Sequence, residues 1–265
     1  MTKNLSFRGE KSTRNFYSSI HASQKENETV AGLPPSVQDI KTWLTKKNAT
    51  DPEIAAKAAL DVGCGMNAYT AAIFCQLGFG SVQAVDLNPE VAEHLVRISA
   101  DKKIRFTPAS VLELPFPNES FDFVNCSGVV HHTPDPEKAI SELSRVTKTG
   151  GVCFIGVYCF ENSLFELVIR IWRLMGRILP FVFLQSLFKK IPALNNFVMD
   201  HMYVPILWVY RAQDIRILLK KYGLSVEEEF VTGFDVFYHK KIYPKKISGD
   251  GLLRFFACSK INCFK

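Results

Sequence analysis

From Ala58 onward, short apolar runs alternate with segments of helical periodicity, and this alternation limits the fold more than any other feature of the chain. Ala59-Leu60-Asp61-Val62, Ser81 to Val85, Ile104-Arg105-Phe106-Thr107, Phe121 to Asn125 and Val152 to Tyr158 read as strands. Tyr69 to Leu77, Val91 to Ser99 and Pro136 to Thr147 read as the helices between them. Short buried strands separated by helices build a parallel sheet covered on both faces. The rhythm breaks over residues 160–210 and then resumes with a helix at Ala212 to Tyr222, a strand near Leu224 to Phe230 and a closing strand at Leu252 to Ser259. The expected organisation is an N-terminal arm and helix over 1–50, a core over 51–159, a helical insert over 160–210 and the C-terminal part of the same domain over 211–265. Residues 1–34 are polar and of mixed charge and read as a loosely ordered arm; Ser36 to Leu44 reads as a helix with Val37, Ile40, Trp43 and Leu44 on one apolar face.

Composition narrows the partners. With 47% apolar and 22% charged residues over a length of 265, one large core is possible and disorder is excluded for most of the chain. The 21 Phe exceed ordinary usage and suggest greasy surfaces beyond a normal core. The net charge of +6 is uneven: residues 51–159 carry 8 basic and 13 acidic side chains (−5), residues 160–190 carry 5 and 2 (+3), and residues 236–265 carry 7 and 1 (+6). An acidic middle with basic flanks is unlike the continuous basic face of a nucleic-acid binder, so no nucleic-acid partner is expected. Seven cysteines with no CxxC pair, several of them inside strand-like runs, read as reduced core residues of a cytoplasmic protein. Neither a signal peptide nor a spanning helix is expected, for want of an apolar run long enough.

The first strand runs into Gly63-Cys64-Gly65-Met66-Asn67-Ala68, where glycines let backbone approach a ligand closely. Asp86 ends the second strand, placed to accept hydrogen bonds from ribose hydroxyls. Gly63-x-Gly65-x-x-Ala68 followed by Asp86 also fits the dinucleotide fingerprint, so a nicotinamide cofactor competes with S-adenosylmethionine. Asp61 favours the latter, because a carboxylate beside the turn repels a pyrophosphate and attracts a sulfonium and an ammonium.

Further motifs follow in order: Ala84-Val85-Asp86-Leu87-Asn88, Leu114-Pro115-Phe116, Ser120-Phe121-Asp122-Phe123-Val124, Gly128-Val129-Val130-His131-His132 and Ser144-Arg145-Val146-Thr147-Lys148-Thr149-Gly150-Gly151. With the glycine turn they make the chain resemble the class I S-adenosylmethionine-dependent methyltransferases, nearest the ubiquinone/menaquinone-biosynthesis-like branch, strongly over about residues 55–160. The resemblance implies a Rossmann-like α/β fold: a seven-stranded, mostly parallel sheet with helices on both faces and an antiparallel final strand; the helical insert, lying between strand five and the last helix, is placed to sit over the cofactor pocket as a lid. The resemblance also implies that Asp61, Gly63, Cys64 and Gly65 line the methionine moiety and that Asp86 holds the ribose, with Leu87 on the adenine. Ser110 and Val111 would lie at the adenine edge, and Cys126 and Ser127 at the reacting methyl. Two positions depart from the family pattern. Asn67 stands where a third glycine is usual, so the turn must accept a Cβ, and Asn tolerates left-handed backbone. Ser110 replaces the usual Asp.

Methyl transfer needs a base only if the acceptor arrives protonated, and His131 and His132 are the candidates, with adjacency predicting that at most one acts. The competing reading is that both are structural. Residues 125–128 offer no hard carboxylate ligand, so no metal is expected. In the insert, Glu166, Arg170, Arg173 and Arg177 fall within about 60° on a helical wheel and most of the rest is apolar. That segment can cover the core with its arginines solvated, wall an apolar acceptor pocket, or make a peripheral membrane contact through 162–190. The expected activity is methylation of oxygen or carbon on a small or medium apolar acceptor, aromatic or lipid-like. An inactive cofactor-binding subunit and an RNA methyltransferase are the alternatives.

Overall fold

The computed structural model describes residues 3–4, 10–25, 44–45, 53–98, 104–159, 163–180, 183–184, 186, 199–232 and 253–261. Most of the helix expected at Ser36 to Leu44, the end of the insert at Lys189-Lys190 and the basic stretch at residues 239–246 lie outside them.

Seven strands form one sheet: β1 (Ala58–Val62), β2 (Ser81–Asp86), β3 (Ile104–Pro108), β4 (Phe121–Ser127), β5 (Thr147–Tyr158), β6 (Leu224–Thr232) and β7 (Leu253–Lys260). The longer helices among the described residues are α1 (Glu10–Lys25), α2 (Tyr69–Leu77), α3 (Glu90–Ile98), α4 (Pro136–Val146), α5 (Ser163–Gly176) and α6 (Ala212–Lys221). The strands lie in the order β3-β2-β1-β4-β5-β7-β6. β7 is antiparallel to both its neighbours and every other adjacent pair is parallel. The chain leaves β1 toward β2 on one side and later places β4 on the other, so the order reverses between β1 and β4. A crevice opens there at the carboxyl ends of the strands.

Both sheet faces are buried at its centre because the central strands are apolar at successive positions, as in Ala59-Leu60 of β1 and Phe123-Val124 of β4. Leu60 and Val62 of β1 join Ile140 and Leu143 of α4 and Ile215 and Leu219 of α6 in one core layer. Ala59 joins Ala71, Ile73 and Phe74 of α2 and Val91 of α3 in the other. Much of the Phe content sits in that second layer, where Phe74 contacts Phe79 and Phe123 edge-on and Phe154 lies against Phe255.

Two elements outside the sheet position the site. Residues 10–25, read from the sequence as part of a loosely ordered arm, form α1, whose Phe16 and Tyr17 pack on a small core of Ile169, Val204, Leu207 and Val209. α5 rests on the π-helical turn Met199–Tyr203: a Cβ on Gly176 would fall 2.8 Å from Met202 Cγ, so the backbones meet closely there. Arg173, which the helical wheel groups with Arg170 and Arg177, is buried, so the reading with all the insert's arginines solvated does not hold for it. Its guanidinium donates to the carbonyls of His201 (3.1 Å) and Val204 (3.0 Å), which a helix end leaves needing donors.

Candidate functional site

After β1 the chain turns through Gly63 and Gly65, both with left-handed backbone (φ +70° and +61°). The amides of Gly63 and Cys64 donate to the Val85 carbonyl at 2.8 and 3.1 Å, tying the turn to β2. The left-handed non-glycine residue is Ala68 (φ +40°) rather than Asn67, because the conformational demand falls at the helix N-cap. Asn67 is satisfied locally, its amide donating to the Tyr69 hydroxyl at 3.2 Å.

Ala68 has no side chain with which to cap α2, and Asp61 does so from β1. Its Oδ2 accepts the Ala71 amide at 3.0 Å and its Oδ1 accepts the Asn125 side-chain amide at 2.7 Å. Asn125 Oδ1 in turn accepts the Ser127 hydroxyl at 2.8 Å. Asp61 is 2% exposed, and burial raises its carboxyl pKa to about 6. Both oxygens are engaged inside the fold, so Asp61 organises the turn from behind; it is not among the residues that line the cavity, where the sequence reading had placed it beside the methionine moiety.

The acid that does reach the crevice is Asp86. Its Oδ2 accepts the Gly65 amide at 3.0 Å and its Oδ1 accepts the Asn88 amide at 2.9 Å. Asn88, itself buried, accepts the Glu90 amide at 3.1 Å and so starts α3. Each Asp86 oxygen keeps acceptor capacity for a ligand hydroxyl.

One cavity brings together Gly63, Gly65, Asp86, Leu87, Val111, Ser127 and His132 from the expected set, beside Val62, Asn88, Ala109, Gly128, Val129 and Thr133. Cys64, Ser110, Cys126 and His131 are not among its lining residues. Ser110 Oγ accepts the Leu112 amide at 3.1 Å and so closes its own turn. Cys126 is fully buried, and burial pushes both its thiol and that of Cys64 well above the usual range, leaving neither reactive. The cavity offers a carboxylate for hydroxyls, apolar walls at Leu87, Ala109 and Val111 for a flat ring, and close backbone at the glycine turn. These features suit a nucleoside carrying a chain.

The histidine pair divides. The His131 ring is fully buried 4.1 Å from the His132 and Tyr158 rings, and neither of its nitrogens has a hydrogen-bond partner. Burial holds its pKa well below the ordinary value. His132 Nδ1 lies 2.8 Å from the Ile206 carbonyl; a carbonyl only accepts, so Nδ1 carries the proton and Nε2 the lone pair. Burial lowers its pKa to about 4, so the ring is neutral at physiological pH.

No described residue of 160–210 lines the cavity. α1 contributes part of the cavity wall instead, through Thr13, Arg14 and Tyr17. Sequence reasoning missed all three; the available signal was Phe16-Tyr17 standing in a polar stretch. Thr13 is 4% exposed and its hydroxyl has no partner within the protein, as expected of a group that meets a ligand.

Comparisons with known proteins agree with this geometry. Residues 60–155 match the family described as "Methyltransferase domain". The chain is 32% identical over 111 residues to demethylmenaquinone methyltransferase of Geobacillus stearothermophilus, covering 40% of this chain and 46% of that protein. It is 31% identical over 116 residues to the probable tocopherol O-methyltransferase, chloroplastic, of Oryza sativa subsp. japonica, covering 42% and 32%. The chain thus spans less than half the length of these relatives. The crystal structure of magnesium protoporphyrin IX methyltransferase from Synechocystis PCC 6803 with bound SAH superposes with a TM-score of 0.61 at 14% identity, covering 94% of this chain and 98% of that one. Fold, motif order and family match converge: residues 60–155 match the methyltransferase-domain family, and the fold is that of solved class I methyltransferases.

Proposed function

We propose that the chain transfers a methyl group from S-adenosylmethionine to oxygen or carbon of a small or medium apolar acceptor, aromatic or lipid-like. In this reading Asp86 accepts from the ribose hydroxyls, Leu87, Ala109 and Val111 flank the adenine, and the glycine turn and Ser127 face the methionine end. The bound cofactor supplies a methyl group already activated by a positive sulfur. The protein's part is to hold the acceptor in line at near-contact distance, which alone removes several kcal/mol of barrier, and to receive its proton. Demethylmenaquinone and tocopherol, in the names of two relatives, belong to the acceptor class proposed.

One observation carries the reading: of the two histidines, His132 is the one at the cavity wall, with its tautomer set by the Ile206 carbonyl. A ring held neutral by burial has its Nε2 lone pair available at any physiological pH. It is a weak base, but the acceptor atom grows acidic as it bonds to the methyl, so a weak base suffices late in the step. The cytoplasm is the compartment that goes with this reading, since the six described cysteines are all free thiols.

The test is His132→Asn, which keeps an N–H donor for Ile206 and removes the base. Turnover of a phenolic acceptor should fall by roughly 10²–10⁴, with affinity for S-adenosylhomocysteine unchanged. Normal turnover would remove His132 from the chemistry. A protein that binds the cofactor yet methylates no acceptor in a broad panel would instead be a regulatory or structural subunit.

A further inference from the structure

α5 presents two apolar faces where one is enough to hold it. Its inward face carries Ile169 into the small core beneath α1, and the Arg173 bonds and the close approach at Gly176 fix the helix against rotation. On the opposite side Leu167, Ile171 and Leu174 recur at helical spacing with Met175 beside them, and Ile178 continues the row in the turn that follows the helix. Ile178 is 77% exposed, Leu174 58% and Leu167 52%. Of the eight exposed large apolar side chains among the described residues, six lie between Leu167 and Phe183. Scattered exposed aliphatics need no explanation, but a concentration on one helix face marks a surface that meets something apolar.

We propose that this outer face of α5 seats the protein on an anionic membrane surface, the aliphatic stripe entering the headgroup region and the flanking arginines meeting lipid phosphates. Three features select lipid. Arg170 in the helix and Arg177 just past its end stand exposed along one edge of the stripe, and Glu166 pairs with Arg170 at 2.9 Å. A second copy of the chain docked on the same stripe would bring two such basic edges together, whereas a phosphate-bearing surface neutralises them. The described insert is also basic: over residues 163–180 the charged side chains are Arg170, Arg173 and Arg177 against Glu166 alone, a net +2 that an anionic surface attracts. The 14 residues of α5 reach about 21 Å, too short to span a bilayer core but long enough to lie in its interface. The inference goes beyond the proposed reaction and does not require the acceptor to be a lipid. Should the acceptor be one, the α5 surface would bring the cavity to it, since the Phe16–Tyr17 contacts of α1 link the inner face of α5 to the cavity wall.

The test uses the full chain and vesicles of phosphatidylcholine mixed with phosphatidylglycerol, against phosphatidylcholine alone. Co-sedimentation should favour the mixed vesicles and weaken with added salt. Ile171→Asp with Ile178→Asp should reduce binding by roughly tenfold or more, because two buried aliphatic contacts are replaced by charges that anionic lipid repels. Arg170→Gln with Arg177→Gln should erase the preference for phosphatidylglycerol. None of these positions lines the cavity, so melting temperature and S-adenosylhomocysteine affinity, measured on every variant, should stay at wild-type values. Absence of vesicle binding by the wild type, unaltered binding by the Asp variant, or stripe-dependent self-association without vesicle binding would each overturn the proposal. Cofactor affinity and turnover on a water-soluble acceptor report separately on the proposed reaction.

Discussion

The Asp86 carboxylate accepts the Gly65 amide at 3.0 Å, so the acid at the end of β2 and the glycine turn after β1 are one unit rather than two ligand-binding features side by side. A ligand hydroxyl that bonds Asp86 therefore meets a carboxylate already oriented by backbone. Asp86→Ala should weaken S-adenosylhomocysteine binding by tenfold or more in calorimetry, through loss of charge-assisted hydrogen bonds. NAD should remain silent against both proteins. An unchanged affinity would place the ribose acid elsewhere.

The two glycines of the turn should fail in different ways. A Cβ at Gly63 would lie 2.1 Å from Val129 Cγ2, within a left-handed backbone. Gly63→Ala should accordingly cost about 2–4 kcal/mol of stability, from overpacking and backbone strain together. Gly65 shares the conformation, but a Cβ there meets nothing within 4 Å, and the residue lines the cavity. Gly65→Ala should lower the melting temperature less and the cofactor affinity more. Thermal melts and calorimetry on both variants separate the two outcomes.

The sheet was readable because its strands are apolar runs bounded by helices, and predicted and observed limits differ mainly where capping or bulging decides them. β5 begins at Thr147 rather than Val152, since its first residues pair with β4 across an irregular register at Phe121/Phe123 that no apolar pattern announces. At the site, periodicity located the loops but not the direction of side chains. Asp61 and Ser127 both stand at carboxyl ends of strands, yet one caps α2 and the other lines the cavity. The wheel of α5 grouped Arg173 with Arg170 and Arg177, but a helix apolar on two faces does not say which one faces inward. α1 escaped notice because two aromatic residues anchor it among polar ones.

Acidification should expose opposing titrations. Asp61 has its pKa raised from 3.8 to about 6, so the folded state binds its proton first and this group adds stability as pH falls from about 6 to 4. His132 has its pKa lowered from 6.5 to about 4, so its contribution, complete above pH 6.5, is lost over nearly the same range. Each amounts to something on the order of 3 kcal/mol. His131 acts in the same direction as His132. The wild type should therefore lose stability between pH 6.5 and 4, Asp61→Asn should lose it more steeply and His132→Asn less steeply. Denaturant melts across that range measure the three slopes; parallel slopes would mean that neither group is perturbed.

The helix that walls the cavity offers the sharpest test of where the ligand lies. Thr13 Oγ1 is buried at the cavity without a protein partner, while Tyr17, one turn further along α1, has its ring 5.7 Å from that of His132. An unpaired buried hydroxyl is unfavourable by about 1–3 kcal/mol, and Val has nearly the same shape without it. Thr13→Val should therefore raise the melting temperature of the free protein. If the bound cofactor or acceptor supplies the missing partner, the same change should shrink the thermal shift produced by S-adenosylhomocysteine, or raise the acceptor KM while leaving cofactor affinity alone. The opposite signs matter, because a substitution that only disturbed packing would lower the free-state melting temperature as well. A Thr13→Val protein that is stabilised and binds both ligands normally would leave α1 as a cover whose hydroxyl touches neither.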